Sequence, residues 1–155
     1  MYRNNAVLGA CVLGFFMVSL GQQTSYEELL TIEEVEAVTG IEGIKLVPRN
    51  PRIGAGGELN FALADGGMVL MVGVQDAPMY DEWKTEEGFF HESVADLGDE
   101  AFQGPSFGEH RYILVFRKGG KAIAVTSFFN LEAGAEPFLS QEQLREVAKI
   151  IIPRL

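Results

Sequence analysis

The chain has 155 residues, 47% of them hydrophobic, which is enough for one domain with its own core. Its 22 Asp and Glu outweigh 12 Lys and Arg, and the net charge of −10 disfavours nucleic-acid and anionic-membrane surfaces, since both repel it. Cys11 is the single cysteine, so an intrachain disulfide framework and a thiolate metal cluster are excluded by counting.

Residues 1–21 read as a signal peptide. Arg3 precedes an uncharged apolar run, and Ser19 and Gly21 supply the small residues that place cleavage before Gln22. The run from residue 6 to 20 is shorter than the roughly 20 residues that span a bilayer. An uncleaved N-terminal anchor is the alternative. Leu8-Gly9-Ala10-Cys11 matches a lipobox by letters, but the chain stays apolar from 12 to 20, and that geometry disfavours lipidation. The expectation is an exported protein, periplasmic or in the cell envelope, whose mature domain spans 22–155 with no membrane span.

Residues 26–40 form the first expected helix. Thr31 with Glu34 makes a capping box, Leu30 with Val35 a hydrophobic staple, and Gly40 the left-handed stop. From 41 to 57, Pro48, Pro51 and the Gly54-Ala55-Gly56-Gly57 run mark a loop, with one short strand near Lys45. The glycines are not a phosphate cradle, because an alternating strand follows them where a helix N-terminus is needed. Residues 58–64 and 68–74 make a hairpin around Asp65-Gly66-Gly67, where Asp-Gly suits a type I′ turn. Asp76 and Pro78 then open a short helix over 79–87 that stops at Gly88.

A turn at Asp96-Leu97-Gly98-Asp99, with Asp99 bonding around Gly98, leads through an irregular Gly/Pro loop to a second hairpin. Its strands, 112–116 and 122–129, are apolar on both faces and meet at Lys118-Gly119-Gly120, so covering layers must lie on either side. Ser140 with Gln143 repeats the capping box, and Leu139 with Leu144 the staple. Leu144, Val147, Ala148 and Ile151 form one apolar stripe before Pro153 ends the helix. The fold class is therefore α+β, an antiparallel sheet of two main hairpins flanked by N- and C-terminal helices.

Catalytic patterns fail on context. Gly104-Pro105-Ser106-Phe107-Gly108 spells a nucleophile elbow, yet a loop precedes it and a strand follows, the reverse of the order that lifts the serine. His91-Glu92 begins a zinc-protease motif, but position 95 is alanine. A mixed site in which His91, His110, Asp96, Asp99 and Glu100 meet in space stays open, disfavoured by the ligand count zinc demands, and the acids at 96, 99 and 100 do not follow EF-hand spacing. No cofactor or metal is expected. What remains is an aromatic group between the hairpins, Tyr80, Trp83, Phe89, Phe90, Phe102 and Phe107, amid Asp81, Glu82, Glu86, Glu87 and Glu92. Such rings usually cover a sheet face. Their functional reading is an acid-rimmed patch, centred on Trp83, for a protein or a small cationic ligand.

Several of these traits are shared. Leu30-Thr31-x-Glu33-Glu34-Val35-x-Ala37-Val38-Thr39-Gly40, the Asp65-Gly66-Gly67 hairpin, Val94-x-x-Leu97-Gly98-Asp99-Glu100-Ala101, the Arg117-Lys118-Gly119 hairpin and the amphipathic last helix cover most of 30–155. In this layout the chain resembles small exported actinobacterial lipoproteins of unknown function and the extracellular sensor domain of a mycobacterial receptor kinase, a group with a PsbP-like sandwich. Members often carry a cysteine pair and a lipobox; this chain lacks the pair. The resemblance implies a non-catalytic exported domain and carries over no site residue. The expected function is a non-enzymatic extracytoplasmic binding or accessory domain. The alternatives are a small hydrolase using carboxylates or Ser106, and a structural envelope component.

Overall fold

A computed structural model describes residues 26–48, 57–85, 92–105, 112–130, 134 and 136–155. Among these residues seven strands form one antiparallel sheet: β1 (Lys45–Val47), β2 (Gly57–Ala62), β3 (Met68–Asp76), β4 (Glu92–Ser93), β5 (Glu100–Pro105), β6 (Tyr112–Lys118) and β7 (Lys121–Ser127). Their spatial order is β1-β2-β3-β7-β6-β5-β4. The two expected hairpins, β2–β3 and β6–β7, meet edge to edge along β3 and β7, from Leu70↔Ser127 to Asp76↔Lys121. After β3 the chain crosses to the far edge through α2 (Pro78–Thr85) and returns strand by strand to the centre. A small second sheet pairs β8 (Phe129–Asn130) with β9 (Glu136–Pro137).

The two hairpin turns differ. Gly119 and Gly120 both take positive φ, 58° and 80°, with Lys118↔Lys121 as the last pair, which is a type I′ arrangement. At Asp65-Gly66-Gly67 the expected type I′ turn does not form. Asp65 keeps negative φ and only Gly66 is left-handed, at 95°. Gly66 N–H donates to Leu63 O and Leu63 N–H to Gly67 O, while the register slips between Phe61 and Ala62. The extra loop residue lets one glycine supply the reversal that I′ geometry takes from two.

Helices cover both sheet faces, as the two-sided apolar strands require. α1 (Ile32–Thr39) and α3 (Gln141–Ile151) lie on one face, over Leu59, Phe61, Leu70, Val72, Leu114, Phe116, Ile123 and Val125. Both capping boxes are present: Thr31 with Glu34, and Ser140 with Gln143. The staple residues Leu30, Val35, Leu139 and Leu144 are buried, as is the whole α3 stripe, Leu144, Val147, Ala148 and Ile151. At about 1.5–3 kcal/mol for each fully buried aliphatic side chain, that stripe is what fixes α3 to the sheet. The first helix starts later than expected. Residues 26–28 form a 3-10 turn and the α-helix begins at Ile32, because Thr31 is extended, with ψ 163°, and caps the helix from there.

On the other face α2 packs Tyr80, Met79 and Trp83 against Phe102, Ile113, Val115, Ala122 and Ala124. β5 occupies a stretch expected to be an irregular loop. Gly104 and Pro105 end the strand, and Gln103 hides its alternation by placing an amide on the core face. The side chain of Asp99 does not bond around Gly98 either. It accepts from Lys118 Nζ at 2.9 Å, while its own backbone N–H donates to Arg117 O at 2.8 Å.

The C-terminal turn clasps the start of α1. Arg154 donates to Glu34 Oε2 at 2.8 Å and to Leu29 O at 3.1 Å, and its second nitrogen reaches Glu34 Oε1. The hydrogen bond from Arg154 holds the Glu34 carboxyl at about 2, below its ordinary 4.5, against the opposing pull of burial. A depressed carboxyl pKa adds stability that is fully present above the unfolded value and is lost as pH falls through the folded one. The urea midpoint is therefore expected to drop between pH 4.5 and about 2. Arg154→Ala is expected to flatten part of that drop. Parallel acid profiles for the two proteins would show that the clasp contributes nothing.

Candidate functional site

Of the aromatic group, Tyr80 and Phe102 are 0% and 2% exposed, with ring centroids 5.3 Å apart and planes tilted by 57°. They belong to the second core cluster and offer no surface to a partner. Trp83 is half-buried at the margin of that cluster. Phe89, Phe90 and Phe107 lie outside the described residues, as do Ser106, His91 and His110.

Tyr80 has an unusual setting. Arg117 Cζ stands 5.1 Å and Lys84 Nζ 5.8 Å from its ring centroid, and both cations pair with Glu100, Arg117 through a 2.8 Å contact. This arrangement fastens α2 to β5 and β6. Burial, then the nearby Glu100 carboxylate, push the phenol up to about 12. Glu100 raises the phenol mainly through its charge, and among the described residues the buried hydroxyl has no hydrogen-bond partner at good geometry. A buried donor without a partner costs free energy, so Tyr80→Phe is expected to leave stability within about 1 kcal/mol of the native value or to raise it. Urea denaturation checks this; a larger loss would mean the hydroxyl is bonded after all.

A groove of about 410 Å³ opens on the α1–α3 side of the sheet's far edge, lined by Glu92, Ser93, Val94, Ala95, Asp96, Leu97, Glu142, Arg145 and Lys149. Its first wall is the turn between β4 and β5. Leu97 is buried in the core and Val94 packs partly against it, while Val94 N–H donates to Ala101 O at 3.0 Å. Asp96 and Gly98 are both left-handed, at 63° and 62°, which bends the turn back toward β6. Its second wall is the outward side of α3, where residues 142, 145 and 149 align at helical spacing.

Beneath the groove lies a polar network. Gln103 is 1% exposed; its Nε2 donates to Glu92 Oε2 at 3.1 Å and to Gln141 Oε1 at 3.0 Å, and its Oε1 accepts from Arg145 Nε at 2.9 Å. The amide is satisfied at both ends, as a buried side chain of this type must be. The network joins β4, β5 and α3 and holds the Arg145 guanidinium at the groove. Arg145 also lies 3.5 Å from Glu142, and Lys149 bonds Glu146 at 2.6 Å. Glu92 and Asp96 have no ion-pair partner among the described residues.

The groove falls partly within the stretch from 80 to 107 singled out in the sequence, but it lies on the opposite sheet face from Trp83. The α3 residues were missed, because that helix reads as a packing helix; its polar side, with Glu142, Arg145 and Lys149 in line, is the signal that could have found them. Among the described residues no group of three His, Cys, Asp or Glu side chains is placed to hold a metal ion. Nor is any helix among them long and apolar enough to cross a membrane. Comparison with protein-family models, with curated proteins and with solved structures finds no match to the chain.

Proposed function

We propose that this chain is a non-enzymatic, extracytoplasmic binding module with a PsbP-like sandwich, and that its groove between residues 92–97 and α3 receives a protein partner. The observation that carries this reading is the groove's construction. A buried glutamine, satisfied on both sides of its amide, fixes Arg145 at one wall, and the opposite wall is a turn anchored by Leu97. Such a wall keeps its shape before a partner arrives, which lowers the ordering cost of binding. The signal-peptide pattern over 1–21 supports export. The helix-covered antiparallel sheet supports the sandwich.

Affinity capture from envelope extract tests the proposal. The protein from that fraction is expected to have the intact mass of a chain starting at Gln22 and to retain a partner that salt releases. Retention is expected to vanish when Glu92 and Asp96 are both changed to lysine, and to persist in Trp83→Ala. A cytoplasmic full-length species would refute export. Capture of nothing, or capture indifferent to the groove substitutions, would refute the binding reading.

A further inference from the structure

β4 is the last strand of the seven-stranded sheet. Among the described residues its strand partner is β5, through Glu92↔Gln103 and Ser93↔Phe102. Val94 N–H donates to Ala101 O, so the register turns the N–H and C=O of Ser93 away from β5, where no described strand takes them up, and such an outward pair can anchor another extended chain. The register places Glu92 on the same sheet face as Gln103, toward α3, where the two side chains bond. The groove thus runs beside the edge, bounded by a strand on one side and a helix on the other. This is the geometry in which an extended segment adds as a strand while every second side chain enters the groove.

Charge narrows the occupant. The two cations of the lining are already engaged, Lys149 by Glu146 and Arg145 by Gln103 and Glu142. The exposed carboxylates of Glu92 and Asp96 are not matched by any cation among the described residues, Glu92 taking only the neutral Gln103 amide. The chain's net charge of −10 draws the same kind of partner over longer range. Resting on the binding reading above, we infer that the groove takes an extended basic segment of a partner protein, added as a strand to β4 with lysine or arginine side chains directed at Glu92 and Asp96.

The test adds synthetic seven-residue peptides to the isotope-labelled protein and follows its amide resonances. One peptide alternates lysine and valine; two more carry N-methyl groups on alternate backbone amides, one for each register; the last alternates glutamate and valine. The lysine peptide is expected to shift residues 92–97 and 142–149 saturably, and the glutamate peptide to shift nothing. Methylation in one register, or the paired change Glu92→Gln and Asp96→Asn, is expected to weaken binding by at least about ten-fold. Asparagine tolerates the left-handed backbone at 96, so that variant keeps its fold. Shifts outside these segments, binding that survives methylation in both registers, or silence from every peptide would overturn strand addition. If the envelope partner is captured while every peptide is silent, strand addition fails and the binding module stands; if neither binds, both fail.

Discussion

Leu114→Ala is expected to lower the unfolding free energy by roughly 2–5 kcal/mol, the range for truncating a fully buried leucine. Leu114 is 0% exposed at the middle of β6, where it faces Val125 on one neighbouring strand and Gln103 on the other. It belongs to the core cluster that also takes in Val147 and Ile151 from α3, so the cavity opens where sheet and helix meet and neither can collapse into it alone. Lys121→Ala, at the hairpin end, removes only an exposed ion pair to Asp76 and is expected to change stability by about 0.5 kcal/mol. Urea denaturation of both variants decides the matter. Equal midpoints would place the core elsewhere.

Gly98→Ala is the second large effect. The residue is left-handed, which costs a side chain about 1–2 kcal/mol by itself. A Cβ there would also stand 2.5 Å from the Arg117 carbonyl oxygen, the same oxygen that accepts from Asp99 N–H. Backbone cannot yield as a side-chain tip can, so the turn must lift away from β6 and that bond must break. A loss above about 2 kcal/mol is expected, against about 1–2 kcal/mol for Gly120→Ala, where a Cβ meets nothing within 4 Å. The same displacement moves the groove wall, so partner capture should fall in a variant that still folds. Equal costs at 98 and 120 would show that close approach to Arg117 is unimportant.

What could be read from the sequence was local. Capping boxes, the α3 stripe and the Gly119-Gly120 turn each rest on residues within a few positions of one another, and each is present, while the staple residues are buried. Strands whose patterns mix signals could not be read. β5 places Gln103 on the core face and ends in Gly104-Pro105, so its period of two is invisible until the partners of that amide are known. β4 and β1, at two and three residues, are too short to show a period at all. The aromatic group shows the same limit in another form. Composition cannot tell a ring that fills a core from one that faces water, and for Tyr80 and Phe102 the tertiary packing decides for the core. The groove lies furthest from sequence reasoning, because its walls are separated along the chain and are joined through buried Gln103 and the core that Leu97 shares with α3.

Hydrogen exchange of the protein, alone and with the partner retained from envelope extract, tests the groove most directly. Amides at 92–97 and 142–149 are expected to exchange more slowly in the complex, while those of α2 around Trp83 keep their rates. Protection confined to residues 78–85, or spread evenly over the chain, would contradict the groove as the binding surface.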